Sequence, residues 1–274
     1  MAGFRTRALS AVVLVAVLGS ALFIGEYYLW GLMFFASIKG LYEFMRAMRD
    51  PENRDDMKPD ALEIFGYIGV AVIYVTLLLV SQEGQFVFIF YTLIVLLIAL
   101  MIIYVLQFPK YSTTKMMQVF FGVIYVGVML SFVYLTRMER DGLKLVWLIF
   151  IASWVCDTCA YISGMLLGRH KLTPALSPKK SVEGAIGGVV GATVVGFLYG
   201  MLIELGDASW VPAVICGVGA VISQFGDLTA SAIKRNHDIK DFGRLIPGHG
   251  GILDRFDSVI VTAPIVFILS QIFV

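Results

Sequence analysis

Nine long apolar stretches constrain this chain more than any other feature of its sequence. They run over residues 9–25, 28–48, 62–80, 86–106, 116–136, 143–167, 185–205, 210–233 and 256–274. A helix needs about 20 mainly apolar residues to cross the hydrocarbon of a bilayer, where only internal pairing satisfies its backbone. A soluble domain needs a polar exterior, whereas this chain of 274 residues is 59% hydrophobic and 15% charged, with a mean hydropathy of +0.86. The expected fold is all-α, a polytopic transmembrane protein of about nine spans, with a buried helical hairpin as the alternative for one closely spaced pair. One integral membrane domain, 1–274, is expected, with N-terminal spans in 1–140 and the chemistry-bearing spans in 141–274. Arg5 and Arg7 precede the first stretch, as in a signal peptide, but so many equal stretches follow that it reads as a first anchor.

The basic residues alternate between the two sides that nine spans would create. Arg5 and Arg7, then Arg46, Arg49, Arg54 and Lys58, then Lys110 and Lys115 fall in alternate connections. The series continues with Arg169, Lys171, Lys179 and Lys180 and ends with Lys234, Arg235, Lys240, Arg244 and Arg255. The opposite connections hold only Arg137, Arg140 and Lys144, while Lys39 falls inside the second stretch. By the positive-inside rule the N-terminus and the charged connections face the cytoplasm, and the C-terminus faces outward. A missed span would scramble the alternation.

The most chemically loaded connection is the last. Asp227 stands near the end of an apolar helix, where a carboxylate needs a cation, a base or water. Asp227, Ser231, Lys234 and Arg235 share roughly one helix face, and Asp254 and Asp257 stand three residues apart at the next helix start. Such a pair of acids can converge on a hard divalent cation, which prefers oxygen ligands. Between them lies Pro247-Gly248-His249-Gly250-Gly251, whose glycines let backbone N–H groups approach an anion. Carboxylates for a metal, bases for phosphate oxygens and a glycine-rich turn are the equipment of phosphoryl or nucleotidyl transfer. A snorkelling basic loop that sets topology accounts for Lys234 and Arg235 but not for the aspartates beside them. Ion transport is the third reading.

A second segment has compatible character. Asp157 lies within the sixth stretch with Tyr161 one turn on, and an acid at that depth is costly without a partner. Ser177-Pro178-Lys179-Lys180-Ser181-Val182-Glu183-Gly184 follows: the lysines are placed to hold a triphosphate, and Ser181 with Glu183 to cap the next helix. Gly184, Gly187, Gly188 and Gly191 read as close helix packing in preference to ligand contact. Cys156 and Cys159 form a C-x-x-C with no second thiol pair, so they and Cys216 read as small buried residues. His170, His237 and His249 are too scattered for a zinc site, and His249 reads as a phosphate contact or a structural hydrogen bond.

The run Ser231-x-x-Lys234-Arg235, then Lys240-Asp241, then His249-Gly250-Gly251-x-x-Asp254-Arg255-x-Asp257 resembles the signature of the phosphatidate cytidylyltransferases, the CDP-diacylglycerol synthases. Residues 157–161 and 177–184 resemble a second region of that family, so the likeness covers about the C-terminal half. One departure is Ala230, where bacterial relatives usually carry glutamate. The resemblance implies transfer of CMP from CTP to phosphatidic acid with Mg²⁺, and room for a second cation such as K⁺. It implies Asp227, Asp254 and Asp257 as metal ligands with Asp241 close behind, and Lys234, Arg235, Lys240 and Arg255 on phosphate oxygens. Lys179 and Lys180 would bind nucleotide phosphates, with Asp157 orienting one of them; Ser181, Ser231, His249, Gly250 and Gly251 complete the substrate-binding set. The implied partners are CTP, phosphatidic acid and bilayer lipid, with no nucleic acid; a homodimer is left open. The implied location is the inner (cytoplasmic) membrane, multi-pass, with the site toward the cytoplasm and a lateral opening between spans for the lipid. The closest alternative is another CTP- or polyprenol-linked transferase, such as a dolichol-kinase-like protein. The Asp-Gly-x-x-Ala-Arg run of the CDP-alcohol phosphotransferases is absent, and a transporter would use Asp157 and Asp227 without the loop lysines.

Overall fold

Every one of the nine apolar stretches lies largely on a helix. The structure, a computed structural model, describes residues 2–54, 58–203, 209–248 and 250–274, without the side chains of 2–8 and 53. The helices are α1 (Ala2–Ile24), α2 (Glu26–Met48), α3 (Ala61–Leu79), α4 (Gln82–Leu106) and α5 (Thr113–Met138). They continue with α6 (Gly142–Leu167), α7 (Val182–Ile203), α8 (Val211–Asn236) and α9 (Leu253–Phe273). Among the described residues, the seven from α3 to α9 are long and apolar enough to cross a membrane. The first two helices fall short of that test for different reasons. The apolar part of α1 is the shorter segment Leu9–Ile24, and α2 carries Glu26, Lys39, Glu43 and Arg46. The protein is an all-α polytopic membrane protein, and the count of nine crossings rests on α1 and α2.

One element lies outside the helical expectation. Strands β1 (Lys171–Thr173) and β2 (Ser177–Ser181) form an antiparallel hairpin with Lys171 opposite Ser181 and Thr173 opposite Ser177. Both helices beside it have defined ends. Gly168 ends α6, and Ser181 begins α7 by accepting the Gly184 N–H at its Oγ, 3.1 Å. Glu183, in the first turn of α7, accepts the Arg169 and His170 backbone N–H groups at 3.1 and 3.2 Å.

Helix packing follows small residues. Along α7, Gly184, Gly188, Ala192, Gly196 and Gly200 form one buried stripe at four-residue spacing. A Cβ on Gly188 would stand 2.9 Å from the Cys156 carbonyl oxygen, and one on Gly191 would stand 2.5 Å from Cys159 Sγ. Gly188 and Gly191 thus pack closely on Cys156 and Cys159 at the interface of α6 and α7, in line with the close-packing reading of these glycines; the part the cysteines take in it was not expected. On α4 the opposite pattern appears: Leu96 and Leu100 pack inward, while Phe90, Val95 and Ile98 stand exposed on the lipid side. Two π-turns, Val123–Val128 in α5 and Ile151–Val155 in α6, interrupt helices that border the site described below. The main core runs through both halves of the chain and includes Phe242 from the α8–α9 loop, fully buried, with a small second cluster of Cys156, Ala192 and Ala220.

Side-chain ties sort the connections to the two ends of the bundle. At one end, Ser10 Oγ donates to the Pro247 carbonyl at 3.1 Å, and Arg54 donates to the His237 carbonyl at 2.6 Å. There also Lys115 meets Asp60 and Glu63 at 2.8 and 2.7 Å, and Lys180 pairs with Asp227. At the other end, Arg137 donates to the Leu22 carbonyl at 2.8 Å and Tyr199 to the Lys144 carbonyl at 2.9 Å. The basic connections thus share one face of the protein.

Candidate active site

The site is assembled at the basic end, from α6, the hairpin, α8 and α9. A cavity of ≈ 340 Å³ is lined by Asp157 and Tyr161 of α6, Lys179 and Lys180 of β2, and Gln224 and Asp227 of α8, with apolar Met165 and Leu172 beside them. Each polar residue arrives for a local reason. Asp157 follows the π-turn of α6, and Lys180 belongs to a strand that ends at the α7 cap. Asp227 lies two turns before the end of α8.

Three carboxylates converge here from three helices. Asp157 is within electrostatic reach of Asp227, Lys180 and Arg255, and its Oδ2 accepts from Ser258 Oγ at 3.5 Å. Asp257 faces Asp227, Asp157 and Lys234, and its Oδ1 accepts the Ser258 N–H at 2.9 Å. Asp227 itself is paired with Lys180, whose ammonium offsets part of this negative charge. Tyr125 approaches Asp257 and Asp227 from the π-turn of α5. Tyr125 Oη and Arg255 Nε are both buried with no hydrogen-bond partner among the described residues, so polar capacity beside the acids is left unused.

Asp254 occupies a different position from its neighbour three residues on. Its Oδ2 accepts the N–H groups of Phe242 at 2.8 Å, Gly251 at 3.0 Å and Gly243 at 3.4 Å. Its Oδ1 accepts from Lys234 Nζ at 3.0 Å, and that ammonium also lies 5.2 Å from the Phe242 ring centroid. Both oxygens of this expected metal ligand are therefore engaged, Oδ2 in holding the α8–α9 loop and Oδ1 with Lys234 of α8. Lys234, expected on a phosphate, spends its charge on Asp254. Arg235 is exposed in the last turn of α8, Lys240 and Asp241 are exposed on the loop, and Ser231 is half-buried on α8. His249 lies outside the described residues.

The loop glycines have a packing reason as well as the anion-binding one read from sequence. Gly250 has φ of +84°, a left-handed conformation that favours glycine, and a Cβ there would stand 2.9 Å from Asp254 Oδ2. A Cβ on Gly251 would stand 2.3 Å from Glu43 Oε2 of α2. Glu43, Gln224, Ser258 and Tyr125 are contacts the sequence reading did not single out. Glu43 carried the same signal as Asp157, an acid within an apolar stretch, but among four charges on α2 it did not stand out. Gln224 donates to the Ala185 carbonyl at 3.0 Å and so ties α8 to α7 on the cavity wall.

Among the described residues no group of three or more His, Cys, Asp and Glu side chains is gathered tightly enough to be a preformed metal cage. The donor chemistry nonetheless fits a hard cation, because the converging groups are carboxylate oxygens and, among the described residues, no thiol or imidazole joins them.

A helical membrane bundle with acids and lysines meeting in a cavity at its basic end is a membrane-embedded protein with a charged site. The chain belongs to the cytidylyltransferase family, whose model matches residues 5–273. It is similar to the phosphatidate cytidylyltransferase of Staphylococcus saprophyticus, 40% identical over 148 residues, which is 54% of this chain and 56% of that protein. The proteins of that name from Staphylococcus epidermidis and Staphylococcus aureus are 41% and 39% identical over the same lengths. The chain thus matches little more than half the length of these relatives.

Proposed function

We propose that this protein transfers CMP from CTP to phosphatidic acid, forming CDP-diacylglycerol and pyrophosphate. The observation that carries the reading is the convergence of Asp257 on Asp157 and Asp227, which with Lys180 line one cavity, in a chain of this family. No protein nucleophile is needed. A phosphatidate oxygen forms the new bond to the α-phosphorus of CTP, and the bond from that phosphorus to the bridging oxygen breaks, leaving its electrons on pyrophosphate. The protein must bring two polyanions together in line, and that is a problem of charge and alignment.

Asp157, Asp227 and Asp257 would hold Mg²⁺, with capacity for a second cation such as K⁺; a bound divalent cation supplies charge neutralisation at the reacting phosphates. Lys180 and Lys179 take nucleotide phosphate oxygens, and Arg255 turns its unpartnered Nε toward the same charge. Lys180 exchanges Asp227 for phosphate when the nucleotide enters. Arg235, exposed in the last turn of α8, and Lys240, exposed on the loop, attract the nucleotide from solvent. The lipid reaches the cavity laterally. Leu172, Ala185 and Gln224 line both the cavity and an apolar groove of ≈ 410 Å³ that continues along α7 and α8 past Ile186, Val190 and Phe225. The site faces the cytoplasm from the inner membrane, because the basic connections share its end of the bundle.

The test is purified protein in detergent with CTP, phosphatidic acid and Mg²⁺, read by CDP-diacylglycerol and pyrophosphate in equal amounts. Activity should vanish with EDTA and return with Mg²⁺. Absence of turnover across several lipid and salt conditions would remove the enzyme reading.

A further inference from the structure

Glu43 is buried on α2, 2% exposed, in the half of the chain that carries none of the site's motif residues. Its Oε2 accepts the Leu253 N–H at 2.9 Å, a contact spanning 210 positions of sequence, at the first residue of α9. Its Oε1 is buried with no hydrogen-bond partner among the described residues. Cβ atoms on Gly243 and Gly251 would stand 2.2 Å from Oε1 and 2.3 Å from Oε2, so the carboxyl group fills the space that two side chains would take. Those two glycines meet across the loop, since a Cβ on Gly243 would also lie 2.8 Å from the Gly251 Cα. Asp254 holds the same loop from inside through the N–H groups of Phe242, Gly243 and Gly251.

A buried carboxyl group is expensive to keep, and one with an unused oxygen is more so. Nothing about the stability of α2 requires it, because Leu41, Phe44 and Met45 beside it are already buried in the apolar core. We propose that Glu43 is a positioning residue for the transfer reaction: it clamps the neck of the α8–α9 loop and the first turn of α9. It thereby fixes Arg255 and Asp257, two and four residues beyond its hydrogen bond, against Asp227 and Asp157. Glu43 touches no reacting atom and acts through Gly243, Gly251 and Leu253. The inference rests on the transferase reading for its activity readout alone.

The experiment compares Glu43→Ala, Glu43→Gln and Gly251→Ala, singly and with Glu43→Ala and Gly251→Ala combined, in the detergent-solubilised full chain. Turnover and KM for CTP are measured together with amide hydrogen exchange across 240–256. Glu43→Ala should lower kcat by about tenfold or more and speed exchange in the loop selectively, while other helices keep their protection. Glu43→Gln keeps the shape and an acceptor for Leu253, and should restore kcat to within about threefold. Gly251→Ala should be severe alone, yet cost at least about fivefold less in the Glu43→Ala background, where its Cβ has room.

Wild-type kcat and loop exchange in Glu43→Ala would overturn the proposal. So would single losses that simply multiply in the double variant, or an exchange increase spread evenly over the bundle. If the wild-type protein shows no turnover but Glu43→Ala still loosens the loop selectively, the transferase reading fails and the clamp stands.

Discussion

Lys180 and Asp227 are 47 positions apart in sequence and pair at the cavity wall with 29% and 27% of their side-chain surfaces exposed. That degree of exposure leaves the pair open to exchange with an entering phosphate. Asp254, by contrast, has a side chain only 2% exposed and no free oxygen. The two acids should therefore fail in different ways. Asp227→Asn should lower turnover on the order of 100-fold with an unchanged thermal midpoint, because it removes charge facing the reacting phosphates. Asp254→Asn should also lower turnover, but with a midpoint that falls as well. Its amide would turn an N–H₂ toward either the N–H groups of Phe242 and Gly251 or the Lys234 ammonium, donor against donor. Paired assays of turnover and detergent-phase unfolding separate the cases, and a stable, inactive Asp254→Asn would return that residue to the metal ligands. Glu63 shows that buried charge here is not always catalytic: it is fully buried between Arg49 at 2.5 Å and Lys115 at 2.7 Å, away from the cavity. Glu63→Ala should destabilise the fold by ~3 kcal/mol while leaving turnover per folded molecule near wild type.

At the scale of elements, the junction of α6, the hairpin and α7 sets the lysines against the acids. Ser181 caps α7 and is itself packed against Gly164 and Gly168 of α6, so one side chain joins three elements. Ser181→Ala should cost ~1 kcal/mol through the lost cap, read as a lower unfolding midpoint and a raised KM for CTP as Lys180 loses its fixed strand. Gly188→Val should cost more, ~1–3 kcal/mol, because its first carbon already meets the Cys156 carbonyl. The helices were legible in sequence because lipid enforces long apolar runs, and close packing at Gly184, Gly187, Gly188 and Gly191 because small residues let helices approach; Ala192, Gly196 and Gly200, which complete the buried stripe, were not singled out. The hairpin was not, since three- and five-residue strands containing Pro178 carry no period to detect. Asp157, Asp227 and the lysines were visible as charges out of place. Their pairing, and the different surroundings of Asp254 and Asp257, depend on which face each presents after long-range packing. Glu43 was hidden for the same reason: its partners are 210 residues away.

On the scale of the whole molecule, the positive charge and the site occupy one end, and the apolar groove beside the cavity opens along α7 and α8 toward lipid. In the proposed reaction a nucleotide and a lipid would approach this cavity along perpendicular routes, which only works if the basic end faces the compartment that holds the nucleotide. The orientation can be read directly. Arg140 and Arg244 are both exposed and belong to connections at opposite ends. The native thiols give little background, since Cys156 and Cys216 are buried and Cys159 is half-buried against Gly191. Arg140→Cys should react with a membrane-impermeant maleimide added to intact cells, and Arg244→Cys only in inverted vesicles or after permeabilisation. If both label from one side, a helix among α6, α7 and α8 fails to cross, and the alternation of basic connections has some other cause. If each labels from the side opposite to that stated, the cavity opens away from the cytoplasm. CTP from that compartment then could not reach Lys180 and Asp227, and the transfer reaction would need a different nucleotide supply.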